Sequence, residues 1–145
     1  MAKLNCLIGD IIGGFVRTEF MLSQILSELD LRNHRIDFFA NSQTGKKIKD
    51  ILKELENSDI SNRSDFIYLI DKLDKLREKR NIVVHSLVLT NSKDNDEYLF
   101  HNYHKKGDKI LDKTTKFSTS DLEEIHTDIR DIHNKLYKLH YEKSS

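Results

Sequence analysis

The sequence predicts an all-α bundle of four main helices, with a small β-hairpin inserted before the last helix. In four segments the apolar residues recur at spacings of three and four, the period of a helix that buries one face. The chain has no proline and only five glycines, so few residues interrupt a long helix. Its length suits a single domain, residues 1–145, with one hydrophobic core.

The first helix is expected from about residue 4 to residue 29. Its apolar stripe consists of Leu4, Ile8, Ile11, Phe15, Leu22, Ile25 and Leu29. Thr18 and Glu19 interrupt this stripe, so Glu19 either faces a polar cleft inside the bundle or lies at the surface. A less regular segment, residues 30–45, leads to a second helix at about 43–57. The inward positions of that second helix are Ile48, Ile51, Leu52 and Leu55.

The third helix, which Ser61 or Ser64 can cap, carries the most informative stretch of the chain at its C-terminal end. Its predicted stripe is formed by Phe66, Leu69, Leu73 and Leu76. The next position in this register is Arg80, and a guanidinium cannot lose its charge to escape burial. Arg80 therefore needs a carboxylate partner such as Glu19, a solvated cleft or a functional role.

The residues around Arg80 form a set that suits RNA chemistry. His85 follows five residues later, and histidine is the side chain that best transfers a proton near neutral pH. Arginine has the donor geometry that fits a phosphate, and Asn81 is placed to orient either group. Such a set suits attack of a ribose 2′-hydroxyl on the adjacent phosphate. The structural alternatives are an internal salt bridge for Arg80 and a helix C-cap for His85.

The segment Arg80-Asn81-Ile82-Val83-Val84-His85 resembles the Arg-x(4–6)-His motif of HEPN domains. HEPN proteins are small helical bundles, and many are metal-independent ribonucleases of toxin–antitoxin, abortive-infection and CRISPR systems. They usually dimerise so that two motifs face one cleft. The resemblance thus implies RNA as substrate, a homodimer, and an antitoxin or other protein partner in some systems.

The same resemblance makes Arg80, Asn81 and His85 the expected catalytic residues, with Glu19 and Ser86 lining the cleft. HEPN toxins that pair with a nucleotidyltransferase antitoxin carry Tyr two residues after the His. This chain has Leu87 there, which disfavours that subfamily. Two alternatives stay open: a non-catalytic HEPN module that binds RNA, a nucleotide or a protein, and a structural helical adaptor.

Beyond His85 the pattern changes from helix to strand. Residues 86–90 and 97–103 are rich in β-formers and are separated by a polar turn at 91–96, which predicts a hairpin. A third short strand is expected near residues 109–112. The last helix is expected from Ser120, in a capping box with Glu123, to Tyr141.

Composition weakens a general nucleic-acid-binding function and argues against a membrane protein. Twenty-four basic and 24 acidic residues balance, so the chain lacks the basic excess common in nucleic-acid-binding domains. No apolar run is long enough for a membrane helix, and the single cysteine, Cys6, fits a reducing cytoplasm as a core residue.

No metal ligand set and no cofactor are expected either. His126, His133 and His140 are seven residues apart, about 10 Å along a helix, which is too far to share one ion. His101 and His104 would point to opposite faces of a strand. The sequence also has no glycine-rich phosphate loop.

Overall fold

Four helices and a three-stranded sheet make up the part of the chain that the computed structural model describes, residues 2–28, 44–90 and 96–142. The elements in order are α1 (Ala2–Glu28), α2 (Thr44–Glu56), α3 (Arg63–His85), β1 (Leu87–Thr90), β2 (Glu97–Lys106), β3 (Lys109–Ser118) and α4 (Thr119–Tyr141). Helix α4 packs against α1 and α3, and α2 packs against α3. The predicted irregular segment 30–45 lies outside the described residues, apart from residues 44 and 45 in α2.

The predicted all-α class is wrong, because the β region is a substantial part of the fold. Strands β2 and β3 are ten residues each and pair along their whole length, from Glu97 opposite Ser118 to Lys106 opposite Lys109. Strand β1 pairs antiparallel with the other edge of β2, in the order β1-β2-β3. The chain therefore combines a helical bundle with an antiparallel sheet rather than a bundle with a small insertion.

One face of the sheet contributes to the core at the end nearest the helices. Phe100 and Phe117 pack edge to face with ring centroids 5.3 Å apart, and both side chains are buried. The sequence predicted only a short third strand near residues 109–112. The full length of β3 was not predicted, because Phe117 is its only buried residue. Its pairing with β2, rather than an alternation of its own, makes it a strand.

The far end of the β2–β3 hairpin, residues 103–113, extends away from the helices, and we call it the arm. Every residue from 105 to 113 is exposed. The arm closes through a two-residue turn, in which Gly107 has a φ of 64° and so adopts the left-handed conformation that glycine tolerates best.

The N-cap of helix α4 is Ser118, two residues before the predicted Ser120. The Asp121 backbone N–H donates to the Ser118 hydroxyl at 3.0 Å, and the Ser118 backbone N–H donates to the Asp121 carboxylate at 2.8 Å. Those bonds lower the pKa of Asp121. Both Ser-x-x-acid pairs satisfy the capping pattern, and β3 runs directly into the earlier one. Helix α3 starts after Asn62, which makes no side-chain cap bond, so neither Ser61 nor Ser64 caps it.

The core lies between the four helices and continues under the sheet. Its largest fully buried side chains are Phe15, Phe66, Phe100, Leu4, Ile11, Leu22, Ile25, Ile48, Leu55, Ile70 and Leu73. Cys6 is exposed, contrary to its expected place in the core. Within the described residues, no helix is long and apolar enough to cross a membrane.

Candidate functional site

Arg80 lies at the next position of the buried apolar stripe of α3, where a charged side chain replaces an apolar one. Its guanidinium carbon lies 4.8 Å from the centre of the Phe15 ring on α1, which places the cation over an aromatic face. One terminal nitrogen, Nη2, is 4.0 Å from Oε1 of Glu19, also on α1. We call this meeting of α1 and α3 the crevice.

Glu19 is a buried carboxyl, not the surface carboxylate that was one of its two interpretations. The residue is 5% exposed because its place in the α1 stripe turns it toward α3. Loss of hydration raises the pKa of Glu19 to about 7, an effect that the positive charges of Arg80 and Arg77 only partly offset. The carboxyl therefore changes charge in the neutral pH range.

Arg80 is held only loosely in the crevice. A distance of 4.0 Å is at the outer limit of an ion pair, and no acceptor in the described residues bonds its buried Nε. Burial lowers the pKa of Arg80, and Glu19 partly opposes that shift. By contrast Arg77, one turn earlier, bonds Asp74 on its own helix at 2.9 Å. The buried Nε of Arg80 thus has no hydrogen-bond partner in the described part of the chain.

His85 lies on a different side of α3 from Arg80. It is the last residue of the helix and is exposed. Five residues along a helix correspond to about 140° of rotation and about 7.5 Å of rise. No hydrogen bond or ion pair between described residues joins the two side chains. The structure therefore brings Glu19 to Arg80, and it leaves His85 open to solvent.

Asn81 and Ser86 occupy intermediate positions around the helix end. Asn81 is half-buried and directly follows Arg80. Ser86 is the C-cap, with the extended backbone (φ −107°, ψ 147°) that leads into β1. Its hydroxyl is buried and has no hydrogen-bond partner within the described residues. Neither residue is bonded to Arg80 or His85.

Two of the three α4 histidines spaced seven residues apart, His133 and His140, interact with charged side chains of α1. His140 lies 2.6 Å from a carboxylate oxygen of Glu28 on α1, so it links the ends of two helices. His133 is half-buried, and loss of hydration together with Arg17 lowers its pKa. In the described part of the chain, no group of three or more His, Cys, Asp or Glu side chains is arranged to hold a metal ion.

The sheet brings together a polar cluster that sequence analysis missed. His101 on β2 uses both ring nitrogens, one at 2.8 Å from the Thr114 hydroxyl and the other at 2.9 Å from the Asp112 carboxylate. Its ring also packs against Tyr103, with centroids 5.0 Å apart. No sequence signal could have shown this cluster, because it depends on the β2–β3 register that places Thr114 opposite His101.

Comparison with sequence models of protein families, with curated protein sequences and with solved structures gave no significant match.

Proposed function

We propose that the chain is a metal-independent endoribonuclease of the HEPN type, acting in the cytoplasm as a toxin or defence effector. One observation carries the proposal. The segment from Arg80 to His85 forms the end of α3, with an exposed imidazole and a guanidinium side chain that is 22% exposed. These are the two groups that transesterification of RNA needs: one that moves a proton and one that binds negative charge.

In the proposed reaction the ribose 2′-oxygen bonds to the adjacent phosphorus and the bond from phosphorus to the 5′-oxygen breaks. The imidazole of His85 accepts the proton of the 2′-hydroxyl, and a second imidazole delivers a proton to the leaving 5′-oxygen. Arg80 donates to the phosphate oxygens on which charge develops, with Asn81 as the positioning residue. The products carry a 2′,3′-cyclic phosphate and a 5′-hydroxyl.

A second imidazole implies a second copy of the chain. Within one chain Arg80 and His85 lie about 140° apart around α3, so the motif of a single chain does not surround a phosphate. Two-fold pairing of the α3 ends would supply His85 twice and place each Arg80 near the other copy. We therefore propose a homodimer with the site at its interface. A toxin of this kind would also have an antitoxin or other protein as partner.

Replacing His85 with alanine is the direct test of activity. We expect wild-type protein to cut RNA in excess chelator, and His85→Ala to lower the rate by about 10² or more. His126→Ala, on α4, is the control and should cut at the wild-type rate. Equal cleavage by His85→Ala and wild type would remove His85 from the mechanism.

Mixed dimers test the shared site. His85→Ala alone should be almost inactive. When wild-type chains are mixed with increasing amounts of His85→Ala and allowed to exchange, a mixed dimer holds only one His85, so activity should fall with the square of the wild-type fraction. If activity falls only in proportion to the wild-type fraction, each site belongs to one chain.

A second candidate function is a non-catalytic HEPN module that binds RNA, a nucleotide or a protein. The observation that favours it is the inward position of Arg80, which uses its charge on Glu19 and Phe15. Under this alternative, purified wild-type protein binds its ligand but does not cut RNA under any buffer condition. His85→Ala then changes neither property.

A further inference from the structure

The arm concentrates positive charge in a chain whose net charge is zero. Residues 103–113 contain four lysines against two aspartates. All four lysines are exposed; they are Lys105, Lys106, Lys109 and Lys113. A strip of unbalanced positive charge that projects into solvent attracts polyanions.

The arm lysines have no carboxylate partner among the described residues, unlike three of the lysines on the helices. Lys3, Lys75 and Lys135 each lie within ion-pair distance of an acidic side chain, at 3.7, 3.2 and 2.9 Å. No carboxylate of the described residues lies within 4 Å of an arm lysine. The positive charge of the arm is therefore available to a ligand.

The arm also carries an exposed aromatic ring, which packs against a neighbouring imidazole. Tyr103 is 67% exposed, and its ring meets that of His101 at an interplanar angle of 84°. Asp112 and Thr114 hold His101 from the neighbouring strand, so His101 in turn restrains Tyr103. An exposed and oriented aromatic ring among lysines is the combination on which single-stranded nucleic acids stack.

The sheet connects this ring to the end of α3. Leu87, two residues after His85, lies directly opposite His101. Two Cα–Cα steps and one strand spacing therefore keep the Cα atoms of His85 and His101 within about 13 Å. In the antiparallel register, residues before Leu87 run toward the level of Tyr103. A strand of a few nucleotides spans this distance.

We propose that the arm binds single-stranded RNA, with a base stacked on Tyr103 and phosphates at the lysines, and guides it to His85. This inference rests on the proposed ribonuclease function, because it assigns the substrate path of that site. The exposed apolar residue Ile110 would also suit a protein contact. Pairing with a second arm is disfavoured, since it would bring two sets of unpaired lysines together.

Binding is measured with a fluorescent single-stranded RNA of about 12 nucleotides whose 2′-oxygens are methylated, so that it cannot be cut. The arm variant is Lys105→Gln/Lys106→Gln/Lys109→Gln. The control Lys3→Gln/Lys75→Gln/Lys135→Gln removes the same charge from the helices. We expect the arm variant to bind at least about tenfold more weakly at about 50 mM salt, and the control to bind like wild type.

The salt dependence gives a second readout. Each phosphate contact contributes about 0.7 to the slope of log affinity against log salt for a single strand, so losing three should reduce the slope by about 2. Unchanged affinity and slope in the arm variant would overturn the proposal. So would a loss of binding in the control of the same size.

Tyr103 separates stacking from charge. Tyr103→Ala should weaken binding about five- to a hundredfold, Tyr103→Phe should bind like wild type, and Tyr68→Ala, an exposed tyrosine on α3, should have no effect. If the arm variants instead change the sedimentation coefficient and leave RNA affinity unaltered, the arm is a contact between copies and the RNA proposal is wrong.

Because the methylated RNA measures binding alone, the two proposals fail separately. Weaker binding by the arm variants, together with no cleavage by any form of the protein, would uphold the RNA-binding arm and reject the ribonuclease. Cleavage that depends on His85 but is unaffected by the arm variants would uphold the ribonuclease and reject the arm.

Discussion

The crevice and the arm use charge in opposite ways. In the crevice, Glu19 is 5% exposed and shares its surroundings with Arg80 at 4.0 Å. On the arm, lysines extend into water with no carboxylate of the described residues within 4 Å. Burial makes the crevice charges sensitive to pH and to each other, whereas water screens the arm charges and leaves them to an outside partner. Changes in the crevice should therefore appear as stability, and changes on the arm as binding.

The largest effect is expected from Arg80→Ala. Removing one member of a buried pair leaves the other without its counter-charge, which costs about 3–5 kcal/mol. Because the Arg80 side chain is 22% exposed, we expect a value near the lower end at pH 8. The loss should be smaller at pH 5, where Glu19 takes up a proton. Urea denaturation at both pH values measures it.

Lys75→Ala, which breaks an exposed pair on the same helix, is the control for that experiment and should change stability by less than about 0.5 kcal/mol. A loss below about 1 kcal/mol for Arg80→Ala at pH 8 would show that Arg80 is solvated. The contrast between crevice and arm would then disappear.

The next effect is a pH dependence that comes from Glu19 itself. Its pKa rises from 4.5 to about 7 on folding, so between these values the folded state binds more protons than the unfolded state. Stability from this group is fully present below pH 4.5 and is lost as the pH rises through 7. The free energy of unfolding should fall by about 3 kcal/mol over that range.

Glu19→Gln, which imitates the protonated carboxyl, should abolish most of this slope. Glu123→Gln, an exposed partner of Lys3, is the control and should keep the wild-type slope. A Glu19→Gln variant with an unchanged slope would mean that another group produces the pH dependence.

Local periodicity was enough to predict the helices and the unusual position of Arg80. The stripe of α3 is fixed by its own residues, and a charge at residue 80 interrupts it whatever the tertiary fold. The same reasoning placed Glu19 on the inner side of α1 as one of two options. It could not choose between them, because that choice depends on how α1 and α3 are turned toward each other.

The sheet shows where such reasoning ends. Strand β3 has few buried residues, so its partner β2 determines its length and its register. The cluster of His101, Thr114 and Asp112 exists only through that register. His85 illustrates the same limit, since spacing alone did not show that it faces solvent while Arg80 faces α1.

The smallest effect on stability is expected on the arm, and it completes the contrast. Lys105→Gln/Lys106→Gln/Lys109→Gln should change the free energy of unfolding by less than about 0.5 kcal/mol, because these exposed lysines form no ion pair with the described residues and their removal relieves mutual repulsion. The helical set Lys3→Gln/Lys75→Gln/Lys135→Gln removes three ion pairs and should be the less stable of the two.

In RNA binding the order should reverse, with the arm set the weaker binder. Both sets remove the same charge. Stability from urea denaturation and affinity for the fluorescent RNA therefore distinguish an effect of lysine position from an effect of net charge. An arm set that loses more than about 1 kcal/mol would show that the arm is packed within the folded chain rather than reserved for a partner.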